Sequence, residues 1–175
     1  MSKVIEVIDE IAKKCCKELL PDEVNVQAVE NGSEHFGELV TVIGYSGEEV
    51  KGALGLMGPG HAIASLHPVP DIAKNPTEHM LYDWLGELAN QLLGRIKGEL
   101  LRYGQSVWIA SPVVLRGVSI RVASQPEKGI QQYTFSGVFG NLNVWLDFQY
   151  PTGLELKLLP EEELDHPTAG EILFF

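Results

Sequence analysis

The chain has 175 residues, 45% of them hydrophobic, and a formal charge of -11. That is enough for one domain with its own core. The acidic balance excludes a general nucleic-acid binder, which needs a basic patch, and no apolar run approaches the length of a membrane span.

Residues 1–20 are amphipathic and carry charges throughout, unlike a secretory leader, so a cytoplasmic protein is expected. Ile5, Ile8, Ala12, Cys15 and Leu19 share one helical face, and Pro21 stops the helix. Cys15 and Cys16 would point about 100° apart on that helix, so no disulfide joins them, and without C-x-x-C there is no zinc framework. "EVNVQAV" alternates as a strand. "ELVTVIGY" and "VKGALGLM" read as two more strands joined at "SGE". Gly52 and Gly55 either weaken the returning strand or mark a close backbone approach. "GPGHAIASLH" reads as a loop with a short helix, and "PVPDIAKNP" as a proline-rich connection.

A long helix is then expected over residues 76–103. Asn75 serves as its N-cap, Pro76 takes the first helical position, Glu78 completes a capping box and Gly104 gives the stop. Further strands follow at "SVWIA", "SIRVAS", "QQYTFSGVF" and "NVWLDFQY", with turns near residues 126–129 and 140–141. "LELKLL" suits a final strand or helix. The end is acidic and turn-rich before a closing "ILFF", read as folding back onto the body. Grouped strands with helices between them point to an α+β fold. Its antiparallel sheet carries a long central helix, with the N-terminal helix packed on it.

Within "DWLGELANQLLGRIK" the apolar residues Trp84, Leu88, Leu92 and Ile96 take one side. Asp83, Glu87, Asn90, Gly94 and Lys97 recur at steps of three and four, which places them in one narrow stripe. A solvated face is the plainer explanation of such a stripe. Asn and Gly are poor helix formers, however, and a merely solvated face has little use for them. Gly94 also leaves room for another backbone beside Asn90.

Other chemistry is weaker. His35, His61, His67, His79 and His166 form no metal-binding spacing. "GLMGPG" lacks the ending of a phosphate-binding loop, and no G-x-S-x-G is present. A carboxylate and an amide one turn apart do not make a nucleophile and base. The amide can accept and donate, so it can hold a water in one orientation. The acid can pair with a partner's lysine. Those roles suit hydrolysis of a phosphoryl group bound and activated elsewhere.

"DWLGELANQLLGRIKGELLRYGQSVWIASPVVLRG" resembles the CheX branch of the CheC/CheX/FliY family of bacterial chemotaxis phosphatases. The family pattern is Asp or Ser, three residues, Glu, two residues, Asn, a glycine one turn on, a long apolar helix, and a strand leading to a proline. Asp83, Glu87, Asn90, Gly94 and Pro112 match. The first helix has no E-x-x-N, so the chain is similar to the single-motif CheX type. The resemblance covers residues 1–150, leaving 151–175 as a C-terminal extension packed on the same domain.

The resemblance implies a phosphatase acting on the aspartyl phosphate of a CheY-like receiver domain. Asn90 would orient the attacking water, and Glu87 would bridge to the regulator's active-site lysine. Asp83, Gly94 and Lys97 would line the contact. This chain would bind no metal or cofactor, since Mg²⁺ comes with the regulator. A homodimer joined through strands of the sheet is also implied. Two other readings stay open: a non-catalytic regulator or flagellar-switch binding module, and a hotdog-type thioesterase. An exposed stripe favours regulator docking, and a pocket at a dimer seam the thioesterase.

Overall fold

Alternating apolar residues build the sheet, and two helices cover one of its faces. In the computed structural model the described residues are 3–20, 25–28, 35–122, 131–138 and 140–160, with backbone alone described at 25–28, 35, 36 and 122. In chain order the elements are α1 (Lys3–Leu19), β1 (Asn25–Ala28), β2 (His35–Gly47), β3 (Lys51–Gly58), α2 (Gly60–Ser65), α3 (Pro70–Lys74) and α4 (Glu78–Leu101). They are followed by β4 (Val107–Ile109), β5 (Val113–Val122), β6 (Gln131–Gly137) and β7 (Gly140–Gln149).

The described strands form one sheet in the order β1-β6-β7-β3-β2-β4, and every pairing is antiparallel. β3 occupies one edge of β2. The other edge is shared, with β4 on Tyr45–Gly47 and β5 on His35–Val42. The expected α+β fold is the one observed.

The register sets the core. Ile43 lies opposite Leu54 and Leu54 opposite Leu146; Leu56 lies opposite Val144 and Val144 opposite Tyr133. All are buried on the face that α1 and α4 cover. From α1 come Ile8, Ile11 and Cys15, and from α4 Leu85, Leu88, Leu92 and Leu93. Each such aliphatic side chain stabilises the fold by about 1.5–3 kcal/mol when fully buried. Polar ties fix α1. Tyr133 Oη donates to Asp9 Oδ1 at 2.9 Å, and Lys14 Nζ lies 2.8 Å from Glu99 Oε1 on α4. Burial pushes the Glu99 carboxyl up, but the Lys14 hydrogen bond and the charges of Lys14 and Arg102 outweigh it and hold its pKa below the usual range.

The two β3 glycines mark close approach rather than weakness. A Cβ at Gly52 would lie 1.9 Å from the Asp147 carbonyl oxygen, which instead accepts from Tyr45 Oη at 2.7 Å. On the opposite face of the sheet the Trp145 ring lies over Gly55, 1.8 Å from where a Cβ would stand.

Several local expectations are corrected. α4 begins at Glu78, and its N-cap is Thr77, whose hydroxyl accepts from Met80 N at 3.3 Å. Asn75 instead caps the end of α3, because the following Pro76 disfavours helical backbone at that residue. The proline-rich connection contains α3, which Pro70 at the first position and Asp71 in the first turn favour. The strand expected at "SIRVAS" starts earlier, at Val113. The last hairpin turns before Gly140, which takes φ +103, so Asn141 already belongs to β7. "LELKLL" is neither strand nor helix; it crosses the end of α4, where Leu159 N donates to Arg102 O at 2.8 Å. The turn near 126–129 and the acidic end after residue 160 lie outside the described residues.

Gly55→Ala is expected to lower stability by about 1–3 kcal/mol, because the Trp145 ring must move; the urea midpoint reads this directly. Both cysteines are buried and free, and burial pushes the Cys15 thiol up to about 11 and Cys16 further in the same direction. Alkylation of the native protein at pH 8 should therefore run roughly 100-fold slower than in urea, as mass spectrometry would show.

Candidate functional site

The stripe on α4 is where sequence spacing placed it. Asp83, Glu87, Asn90, Gly94 and Lys97 are all exposed, while Leu85, Leu88, Leu92, Leu93 and Ile96 are buried beneath them. The helix therefore divides its surface between core and solvent along its length. Along the axis, Glu87 and Asn90 are separated by about 4.5 Å and Asp83 and Gly94 by about 16 Å, at 1.5 Å per residue.

The flanks hold the helix in place. Gly86 is buried, and a Cβ there would touch Pro112 Cγ at 3.5 Å and Val114 Cγ2 at 3.8 Å, so the start of β5 abuts α4 one residue before Glu87. The first turn is tied to the sheet through Glu78, which pairs with Arg116 of β5 and accepts from Tyr82 Oη. The Tyr82 hydroxyl and the Arg116 guanidinium hold the Glu78 carboxyl below the usual carboxylate range. On the other flank the His67 ring stands edge-on to Trp84 at 4.8 Å between centroids, and His67 Nδ1 accepts from Val69 N at 3.1 Å.

Within the stripe the polar groups differ in how they are engaged. Asp83 Oδ2 lies 2.8 Å from His79 Nδ1. Glu87 Oε1 accepts from Gln91 Nε2 at 2.8 Å. Among the described residues no hydrogen bond engages the Asn90 amide, so its oxygen and its NH₂ group are both open to solvent. Gly94 and Gly98 have nothing within 4 Å of where a Cβ would be, which leaves a length of helix backbone without cover.

Sequence reasoning missed His79, Gln91 and Gly98 on this face, all exposed. Each stands three or four residues from a stripe member, so the same spacing argument, applied to a wider face, would have found them. No group of three or more His, Cys, Asp or Glu that could hold a metal occurs among the described residues. The enclosed apolar cavity beneath α4, lined by Cys16, Leu88, Leu92 and Phe135 among others, holds none of the stripe residues. The arrangement is an exposed helix face with a carboxylate and an amide at its centre.

A family model described as chemotaxis phosphatase CheX matches residues 39–136, a span that contains all of α4. No curated protein sequence matches the chain. Among solved structures, chemotaxis protein CheX from Vibrio vulnificus superposes with a TM-score of 0.68 at 20% identity, covering 85% of this chain and 100% of that one. A chemotaxis protein CheX from Desulfovibrio desulfuricans gives 0.65 at 15% identity, with 81% and 99% covered. The Borrelia burgdorferi CheX in complex with CheY, BeF₃ and Mg²⁺ gives 0.59 at 18%, with 83% and 97% covered. At these identities the likeness is one of fold.

Because the stripe side chains are exposed, Glu87→Ala and Asn90→Ala should each leave the urea-unfolding free energy within about 0.5 kcal/mol of wild type.

Proposed function

The chain belongs to the CheX family and is a chemotaxis phosphatase; from that premise we propose that it hydrolyses the aspartyl phosphate of a CheY-like response regulator, with Glu87 and Asn90 on α4 as its working side chains. The observation that carries this reading is the exposure of a carboxylate and an unengaged amide less than one turn apart on a convex face. Such a face can enter another protein's active site. It cannot enclose a small substrate, which argues against the thioesterase.

The chemistry asked of this chain is small. An acyl phosphate held in a receiver domain needs a water placed in line with the bond to be broken, and placement is most of the catalysis in phosphoryl transfer. The Asn90 carbonyl oxygen accepts from that water and its NH₂ group donates to a phosphoryl oxygen, which fixes the water's direction. Water attacks phosphorus, the bond to the aspartyl oxygen breaks, and inorganic phosphate leaves with the regulator's carboxylate restored. Glu87 pairs with the regulator's active-site lysine and so brings Asn90 to its place. Asp83 and Lys97 flank the contact, and Gly94 lets the partner's backbone lie close to the helix. Mg²⁺ belongs with the acyl phosphate on the regulator, where it neutralises charge. The CheX–CheY complex from Borrelia burgdorferi contains BeF₃ and Mg²⁺, which fits that division of labour.

The same reading takes residues 1–150 as the phosphatase domain and 151–175 as an extension on it. The partly buried Leu154 and Leu156 and the Leu159–Arg102 hydrogen bond support that packing. It also takes the protein as a cytoplasmic homodimer joined through strands of the sheet. The β5 edge, with exposed Val113, Leu115 and Val118, is suited to that role, and no described helix is long and apolar enough to cross a membrane.

The test is to incubate the protein with Mg²⁺ and phosphorylated receiver domains from the same organism and time the loss of acyl phosphate. Acceleration is expected, with Asn90→Ala lowering it on the order of 10²–10³-fold while binding persists. An unchanged rate in Asn90→Ala would overturn the water-positioning role. Glu87→Lys sets like charges against each other and should weaken binding; wild-type affinity in that variant would remove the salt bridge. No acceleration across the panel with binding retained would leave a docking module.

A further inference from the structure

The stripe carries two carboxylates one turn apart, and a partner lysine must choose between them. Hydrogen bonds in the free chain turn the two in opposite directions. Asp83 reaches toward the helix N-terminus, with Oδ2 2.8 Å from His79 Nδ1. Glu87 reaches toward the C-terminus, where its Oε1 accepts from Gln91 Nε2 at 2.8 Å.

The partners differ in kind. His79 is an imidazole, a base set directly against one oxygen of Asp83. Gln91 is an amide: it donates a hydrogen bond, carries no charge and does not titrate. It can therefore fix the direction of a carboxylate and leave its whole negative charge available. A lysine at the same position would form the favoured pairing of Glu with a cation four residues on, and would occupy the charge that docking uses. The donor also engages Glu87 rather than the neighbouring Asn90, whose amide stays open.

We infer that Gln91 is a positioning residue, which holds Glu87 in a fixed direction with its charge uncompensated, ready for the lysine of the regulator. The inference rests on the docking reading above and adds a residue to it. It makes affinity fall without a loss of stability, which a structural role does not do. Alanine and lysine are both good helix formers, and the lysine also gains a partner in Glu87, so neither substitution should weaken the fold.

The measurement uses the full chain and a receiver domain loaded with beryllofluoride, titrated at two salt concentrations, with thermal midpoints and steady-state hydrolysis alongside. Gln91→Ala should bind about 3–10-fold more weakly with an unchanged midpoint, as the aim of Glu87 is lost. Gln91→Lys should bind more weakly still and with a shallower salt dependence, since one charge of the pair is already spent, while its midpoint equals or exceeds wild type. In both variants KM should rise while kcat stays within about two-fold, because Asn90 is untouched. Equal affinity in wild type and both variants would overturn the inference and leave the docking reading standing. Affinity losses that follow falling midpoints would also overturn it, by showing a structural role. A wild-type chain that binds no loaded receiver would overturn both readings.

Discussion

The seating of α4 governs what this molecule can do. Leu85, Leu88, Leu92, Leu93 and Ile96 sink one side of the helix into the face of the sheet, and Gly86 lets Pro112 and Val114 close against it. With the helix fixed along that side, every third or fourth residue on the other side is presented at a known height and angle. No loop has to be ordered for the stripe to form. The proposed placing of one water would gain from this, because a helix backbone defines side-chain origins better than a loop does. The ties at both ends of α4 serve the same purpose. Glu78 holds its start to Arg116, and the segment after β7 closes over its end through Leu159.

The division between core and stripe also explains the electrostatics. The buried side makes the fold without charged groups, whereas the exposed side engages its polar groups locally, as Asp83 with His79 and Glu87 with Gln91. Exposed pairs of this kind contribute little to stability. Their effect is on which charges remain available at the surface. In a chain with a net charge of -11, an acid that keeps its charge free and points in one direction can still be distinguished from the others.

The sequence made the stripe legible because helical spacing is rigid: residues 83, 87, 90 and 94 share a face in any α-helix long enough to contain them. The strands β6 and β7 were legible for the same kind of reason, since alternation survives in a sheet with a covered face, and β2 and β3 were legible as apolar runs either side of a turn. What escaped was decided between neighbours of similar local character. Asn75 and Thr77 are both good caps on either side of Pro76, and the existence of α3 settles which one opens α4. The early part of β5 is an edge with exposed Val113 and Leu115, so it lacks the burial pattern that announces a strand. "LELKLL" alternates like a strand, but both edges of β2, β3 and β7 are already paired, and the segment finds its partner in a helix carbonyl instead. His79 and Gln91 escaped because the stripe was drawn narrowly: a hydrogen bond between exposed side chains leaves no trace in hydropathy, only in the spacing of four residues.

Gly94 and Gly98 show what this design gives up. Each stands inside α4 with open space where a side chain could be. A glycine in a helix interior forgoes about 0.5–1 kcal/mol relative to alanine. The helix thus carries two correctable weaknesses, and both lie on the face proposed to meet the partner. Selection for heat resistance alone would correct them first, filling the bare backbone with methyl groups and moving the surface of α4 outward. Robustness and recognition compete at these two positions, whereas in the core beneath them they do not.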